Sequence, residues 1–318
     1  MTDYAIRLRG VTKHFGDHVA VEDLDLDVPR GTICGLLGPN GSGKTTSIRM
    51  ILGIYVPDGG TVELLGGPPD HEHRRRVGYL PEERGMYKKM RVLDHLAFIG
   101  ELRGVRSSDG RRRGGEWLER LGLSEWADRK VEDLSKGMQQ KVQFVATVLH
   151  EPDLLILDEP FSGLDPINQD VLEAIVRELN ARGTTILFST HLMDQAERLC
   201  RRVCLISRAR KVLDGDLREI RAAEDRGDVA VEFDGDAGWL DIPEIETAER
   251  EEDGWHLRLR DDVPPRVIVE RALASGIELR RFERVAPRLH EIFIRHAGAE
   301  AAAEAGRPTD VRVAEAVR

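Results

Sequence analysis

Cysteine is scarce in this sequence: Cys34, Cys200 and Cys204 are the only three in 318 residues. That number is small and odd, a poor count for a disulfide framework, and suits a reducing compartment. Cys200 and Cys204 have helical spacing, but no neighbouring His/Cys pair completes the four ligands of a tetrahedral zinc site, so both read as structural. Long apolar runs are also missing. None approaches the roughly 18 residues that a membrane-spanning helix needs, so work at a membrane would require another chain to cross it. The opening residues MTDYAIRLRG lack the apolar core of a signal peptide, and the chain is expected in the cytoplasm. Positive charge is in deficit: 47 Lys and Arg face 57 Asp and Glu, for a net charge of −10. That balance argues against a general nucleic-acid binder, whose affinity rests on Lys/Arg neutralisation of phosphates, and no nucleic-acid partner is expected. No internal repeat of the motifs described below occurs, so one chain carries one set.

The residues present fit a globular protein, with 41% hydrophobic and 33% charged, and the length suggests about two domains. Residues 1–222 alternate short β-rich runs with helical ones, the pattern of an α/β domain. The polar stretch Ala222–Gly227 marks a boundary. In residues 227–296, alternating runs at Val229–Phe233, Trp255–Leu259 and Glu278–Phe282 flank a helical stretch at Val267–Ala274, which reads as a small α+β module. Trp239 and Trp255 read as its core. Residues 297–318 are Ala/Glu-rich with few large apolar side chains and are expected to form a disordered or frayed tail.

Gly38-Pro39-Asn40-Gly41-Ser42-Gly43-Lys44-Thr45 matches the phosphate-loop pattern G-x-x-x-x-G-K-[ST] in full. It lies between the apolar run Ile33–Leu37, read as a buried strand, and the helical pattern Thr46–Leu52, which Gly53 closes as a C-cap. Glycines let backbone N–H groups turn towards phosphate, and the helix N-terminus adds positive potential. In such a cradle Lys44 reaches the β- and γ-phosphates of ATP, and the Thr45 hydroxyl ligates Mg²⁺.

The run Leu154–Leu157 reads as a fully buried parallel strand that ends in Asp158-Glu159. At the carboxyl end of the sheet both acids would face the nucleotide crevice. Asp158 suits the Mg²⁺ role, and Glu159 suits a general base for the attacking water. A second β-rich run, Thr184–Phe188, ends in Ser189-Thr190-His191, which places His191 to sense the γ-phosphate.

Leu134-Ser135-Lys136-Gly137-Met138-Gln139-Gln140 then narrows the field of nucleotide hydrolases. Ser135 reads as an N-cap, Gly137 leaves room for a ligand, and Val142, Val145, Ala146 and Leu149 supply an apolar helix face. The segment resembles the LSGGQ signature of ABC ATPases and lies between the phosphate loop and the Asp-Glu pair, as in that family. Phe15 matches the aromatic that stacks on adenine, Ser162-Gly163-Leu164-Asp165 matches the D-loop, and His191 matches the switch histidine. The resemblance covers residues 4 to about 215. It implies a P-loop NTPase of ABC type, with N-terminal antiparallel strands and a helical subdomain at about 85–150, followed by the α+β module. It also implies ATP contacts along Gly38–Thr46 and, in the family, Ser135, Lys136, Gly137 and Met138 facing the nucleotide of a second subunit.

The sequence departs from the family pattern in three places. Lys136 and Met138 replace a Gly and a Gln of the signature, which leaves Ser135 and Gly137 to carry the contact. In Gly78-Tyr79-Leu80-Pro81-Glu82-Glu83-Arg84-Gly85, Glu82 stands at the Q-loop position, usually Gln. A carboxylate there ligates Mg²⁺ more strongly than an amide. The GYLPEERGMY wording, the altered signature and the extra C-terminal domain together resemble the Nat-type (sodium-extrusion-like) branch of bacterial ABC exporters.

The resemblance implies an ATPase subunit that closes head to tail with a second copy or a similar ATPase, on the inner face of the cell membrane. Its partner would be an integral membrane permease, docked on the Q-loop and the helix-rich stretch Val92–Leu149. Two other readings compete. Soluble ABC proteins acting on ribosomes usually carry two motif sets, and DNA-repair relatives usually split the site with long insertions; neither pattern is present. A nucleotide-sensing switch with little turnover sits poorly with Glu159 and His191. Arg103, Arg106 and Arg111–Arg113 read as a solvated basic loop.

Overall fold

The computed structural model describes residues 3–83, 85–225, 227–251, 254–260 and 263–298. They divide into two compact units, the second spanning Leu217–Arg295 and the first made of the described residues on either side of it in sequence, up to Asp216 and from His296. The division falls one short helix ahead of the polar stretch expected to mark it. Apart from Ala297 and Gly298, the expected tail lies outside the described residues.

The first unit opens with two long strands, β1 (Tyr4–Phe15) and β2 (His18–Pro29), followed by β3 (Ile33–Leu37), α1 (Lys44–Ile51) and β4 (Gly59–Leu64). Next come α2 (His71–Arg75), β5 (Val77–Leu80), α3 (Val92–Leu102), α4 (Ser107–Arg120), α5 (Lys136–Val148) and β6 (Leu154–Asp158). The unit closes with α6 (Pro166–Ala181), β7 (Thr185–Thr190), α7 (Met193–Leu199), β8 (Arg202–Ser207) and β9 (Arg210–Asp216). Two sheets result. The smaller is antiparallel, in the order β2-β1-β4, and the larger runs β5-β6-β7-β3-β8-β9. Its strands are parallel except β9, which returns antiparallel to β8.

Every residue of β3, β6 and β7 is buried. Helices cover both faces of such strands, and this explains why they read as unbroken apolar runs rather than alternating ones. The antiparallel sheet shares one core with the parallel one: Ile6, Leu8, Leu24 and Leu26 cluster with Cys34, Leu36, Ile48 and Met50. The three cysteines are buried and free, and burial pushes the Cys34 thiol up to about 12, which makes it inert.

Because β6, β7 and β3 are neighbours and parallel, their carboxyl ends lie side by side. The segments holding Glu159, His191 and the phosphate loop therefore meet at one edge of the sheet, with β5 and Glu82 next in line.

The basic stretch expected as a loop is largely helical, since Arg111–Arg113 lie within α4. Its glycines obscured this in the sequence, and their role is packing. A Cβ on Gly110 would meet the Ala97 Cα at 3.2 Å, and one on Gly114 the Leu93 Cδ1 at 3.2 Å. The arginines are ion-paired rather than free: Arg111 to Asp94 and Arg112 to Glu116.

The second unit contains α8 (Leu217–Ala223), β10 (Val229–Phe233), β11 (Ile245–Glu251), β12 (Gly254–Leu259), α9 (Arg266–Ala274), β13 (Leu279–Arg284) and α10 (Leu289–Ala297) up to Arg295. Its sheet is antiparallel, in the order β11-β12-β10-β13. Val229, Val231, Leu257, Leu259 and Ile268 form its core, and Trp239 and Trp255 pack against it. Strand β11 has no counterpart in the sequence reading. It is an edge strand rich in charge, IETAERE, and its one large apolar residue, Ile245, pairs with Leu259. Charged edges of this kind discourage pairing with other chains and hide the strand's periodicity.

Candidate active site

The phosphate loop leaves β3 through Gly38 at φ +151°, where a Cβ would lie 2.0 Å from the Ile206 carbonyl oxygen. It enters α1 through Gly43 at φ +108°, where a Cβ would lie 2.4 Å from the Ala20 carbonyl oxygen. Only glycine fits at either end. Lys44 is 6% exposed, and its ammonium donates to the carbonyls of Gly38 at 2.7 Å and Pro39 at 3.0 Å. The side chain is therefore folded back along its own loop. Burial holds its pKa below the usual lysine value, against the opposing pull of Glu159, Asp158 and Glu82.

Across the cavity, Asp158 ends β6 with 1% of its surface exposed. Thr45 donates its hydroxyl to Asp158 Oδ2 at 3.0 Å, while Asp158 Oδ1 and the Ser42 hydroxyl are buried with no partner. A buried carboxylate oxygen without a donor is costly, and burial accordingly raises the Asp158 pKa. Among the described residues no group of three or more His, Cys, Asp or Glu side chains is placed to hold a metal ion by itself. The hard oxygens of Thr45 and Asp158 fit a hard cation such as Mg²⁺ whose remaining ligands are phosphate and water oxygens.

Glu159 follows at φ +49°, a left-handed conformation that a side chain other than glycine adopts at a cost. Its N–H donates to the Ser189 carbonyl at 3.0 Å. This turn carries the carboxylate across to the end of β7. There Oε1 accepts the His191 backbone N–H at 2.9 Å and lies 2.7 Å from His191 Nδ1, and Oε2 accepts from the Thr190 hydroxyl at 3.2 Å. A carboxylate has about four lone-pair directions, so these three leave room for one more donor. The hydrogen bond to Glu159 raises the His191 pKa above the ordinary imidazole value.

A cavity of about 360 Å³ gathers Phe15, Asn40, Gly41, Gly43, Lys44, Thr45, Thr46, Glu82, Asp158 and Glu159. Burial, followed by the charges of Asp158 and Glu159, raises the Glu82 pKa. His18 and Ala20 also line the cavity; neither follows any motif, and nothing in the sequence marks them. Thr190, which no sequence motif singles out, joins the site because the left-handed turn at Glu159 brings Oε2 to its hydroxyl. His191 meets Glu159 and is not among the residues lining the cavity.

The signature residues lie elsewhere. Ser135 caps α5, with its hydroxyl accepting the Met138 N–H at 3.3 Å, and none of Ser135, Lys136, Gly137 or Met138 lines the cavity. Asp165 likewise caps α6, accepting the Asn168 N–H at 3.0 Å.

Residues 21–162 match the family described as ABC transporter, and residues 215–297 match the family described as ATP-binding protein DrrA1-3-like, C-terminal domain. The ABC transporter ATP-binding protein YhaQ of Bacillus subtilis is 42% identical over 290 residues, which is 91% of this chain and 97% of the relative. Nod factor export ATP-binding protein I of Cupriavidus metallidurans is 41% identical over 234 residues, 73% of this chain and 77% of the relative. A solved structure described as the ATP binding subunit of an ABC transporter matches with a TM-score of 0.65 at 32% identity, over 69% of this chain and 93% of the other.

Proposed function

This chain belongs to the family of ABC transporter ATP-binding proteins, and we propose that it powers export through a separate membrane-spanning partner by closing head to tail with a second ATPase chain on ATP. Residues 1–222 form the ATPase domain in this reading, with the helical subdomain at about 85–150, and residues 227–296 form an accessory domain. Among the described residues no helix is long and apolar enough to cross a membrane; in this reading the membrane-spanning partner holds the chain on the inner face of the cell membrane. The second chain is another copy or a similar ATPase. Export as the direction is supported by the Nod factor export name of one relative.

In the proposed reaction the loop from Gly38 to Thr46 holds the phosphates of ATP, and Phe15 faces the adenine. Thr45, Asp158 and Glu82 would hold Mg²⁺, which would supply charge neutralisation for the triphosphate. Lys44 exchanges its carbonyl partners for phosphate oxygens, a stronger, charge-assisted pairing. Glu159 accepts the proton of the attacking water in its remaining lone-pair direction. His191 and Thr190 hold that carboxylate in place, and the hydrogen bond to Glu159 shifts His191 towards its protonated form.

One observation carries the two-chain reading. Gly137 has no left-handed φ, and a Cβ there would make only ordinary contact, 3.5 Å from Leu164 Cδ2. Nothing in its own chain requires glycine at that position, and Ser135 and Lys136 beside it are exposed. A ligand approaching from outside gives the glycine a purpose.

The test is affinity purification of tagged Glu159→Gln protein from detergent-solubilised membranes in the presence of ATP, with mass spectrometry. Co-purification of a polytopic membrane protein in near-equal amount is expected. Recovery of ribosomes, nucleic acid or nothing would leave the ATPase chemistry standing and remove the transport partner.

A further inference from the structure

Phe15 does not stand alone at the mouth of the cavity. Phe15 is 45% exposed, and Tyr55 meets its ring edge-on, with centroids 5.4 Å apart and planes at 71°. Tyr55 lies in the turn after α1 and is fixed from that helix. The Ile54 and Tyr55 N–H groups both donate to the Arg49 carbonyl, at 2.8 and 3.1 Å. The Arg49 guanidinium donates to the Tyr55 hydroxyl at 3.1 Å and lies 5.7 Å from its ring centroid.

The same turn is tied to β1 just before Phe15. Asp58 accepts the Lys13 ammonium at 2.9 Å and the His14 N–H at 2.7 Å, and it donates its own N–H to the Thr12 carbonyl at 2.9 Å. The Lys13 ammonium also donates to the Val56 carbonyl at 2.9 Å and lies 5.6 Å from the Phe15 ring centroid. The ring is thus held by groups from two directions, and both sets of bonds converge on one short turn.

We propose that Tyr55 is a positioning residue for the nucleotide base: its edge contact sets the plane of Phe15, and Arg49 ties that plane to the helix that begins at Lys44. An exposed aromatic at a strand end must lose side-chain freedom to stack on a base, and a ring already held in place does not pay that cost on binding. Because Arg49 and Lys44 share α1, the base platform and the phosphate cradle are both tied to one helix. The inference rests on the reading above in which Phe15 faces the adenine.

The test compares steady-state ATP hydrolysis by the full chain carrying Tyr55→Leu, Tyr55→Phe, Phe15→Ala, or Phe15→Ala with Tyr55→Leu. Binding of inorganic tripolyphosphate, which has no base, serves as the control. Loss of one edge-to-face aromatic pair corresponds to about a three- to tenfold rise in KM for ATP in Tyr55→Leu, with kcat changed less than about twofold. Tripolyphosphate affinity should not move, Tyr55→Phe, which keeps the ring edge but loses the hydroxyl that Arg49 holds, should raise KM less than Tyr55→Leu does, and Tyr55→Leu should add nothing once Phe15 is alanine. If Phe15→Ala raises KM while Tyr55→Leu does not, the positioning role is wrong and the adenine reading survives. If Phe15→Ala leaves KM unchanged, the adenine reading fails and takes the inference with it. A Tyr55→Leu effect that persists in full without Phe15, or that extends to tripolyphosphate, also overturns it. Tyr55→Met, which keeps bulk without the ring, replaces Tyr55→Leu if that variant does not fold, with the same expectations.

Discussion

The Nδ1 of His191 lies 2.7 Å from Oε1 of Glu159, and the His191 backbone N–H donates to that same oxygen at 2.9 Å. One residue therefore grips the carboxylate with both its ring and its main chain. Changing Glu159 to Gln keeps an oxygen for these donors but removes the proton acceptor. ATP binding should persist, and phosphate release should fall by about 10²–10⁴-fold, the usual contribution of a general base. Turnover within about tenfold of wild type in a phosphate-release assay would remove Glu159 from that role.

The same contact makes part of the stability depend on pH. The hydrogen bond to Glu159 raises the His191 pKa in the folded protein. A raised imidazole pKa stabilises the fold fully below its unfolded value of about 6.5, and the contribution is lost as pH rises through the folded value. Wild type should therefore exceed His191→Ala in Tm by about 2–4 °C near pH 6, for an interaction of about 1 kcal/mol. The gap should close above the raised pKa. A gap that stays constant from pH 6 to 9 would mean that the ring contributes packing alone.

Much of this site is legible in the sequence because it rests on local chemistry. The phosphate loop between an apolar run and a helical one, and the acids ending a buried strand, are statements about adjacent residues. The strand order β6-β7-β3 is not local, yet it turns separate strand ends into one edge. What escaped depends on conformation that side-chain identity does not encode. The left-handed turn at Glu159 brings Thr190 into the site, and His18 and Ala20 reach the cavity only through the hairpin of β1 and β2. The helix α4 was hidden by Gly110 and Gly114, whose lack of a side chain serves the packing of α3 against α4. The edge strand β11 carries charge where a buried strand would alternate.

Two glycines of the phosphate loop should behave differently. Gly38 combines φ +151° with a Cβ position 2.0 Å from a backbone oxygen, whereas Gly41 has φ +76° and nothing within 4 Å of its Cβ. Gly41→Ala should cost only the left-handed backbone term, about 1–2 kcal/mol. Gly38→Ala must also push back the Ile206 carbonyl, and should cost about 3 kcal/mol or more. Chemical denaturation of the two variants checks the ranking, and equal losses would contradict the steric argument.

Glu82 faces the cavity beside Asp158 and Glu159, with Lys44 as the cation among them. Its carboxyl is destabilised in the charged form first by burial and then by those two neighbours. A divalent cation would reverse that balance, because each added carboxylate then attracts rather than repels. Glu82→Gln should thus act in opposite directions under two conditions. With Mg²⁺ present, the concentration giving half-maximal ATPase activity should rise about three- to tenfold, as expected for losing one partly screened charge contact. With Mg²⁺ chelated, ATP should bind the variant more tightly than wild type, since one negative charge near the triphosphate is gone. Titration of activity against Mg²⁺ and of ATP binding in EDTA separates the effects. If Glu82→Gln leaves both unchanged, Glu82 takes no part in holding the metal, and the shell reduces to Thr45, Asp158, phosphate and water.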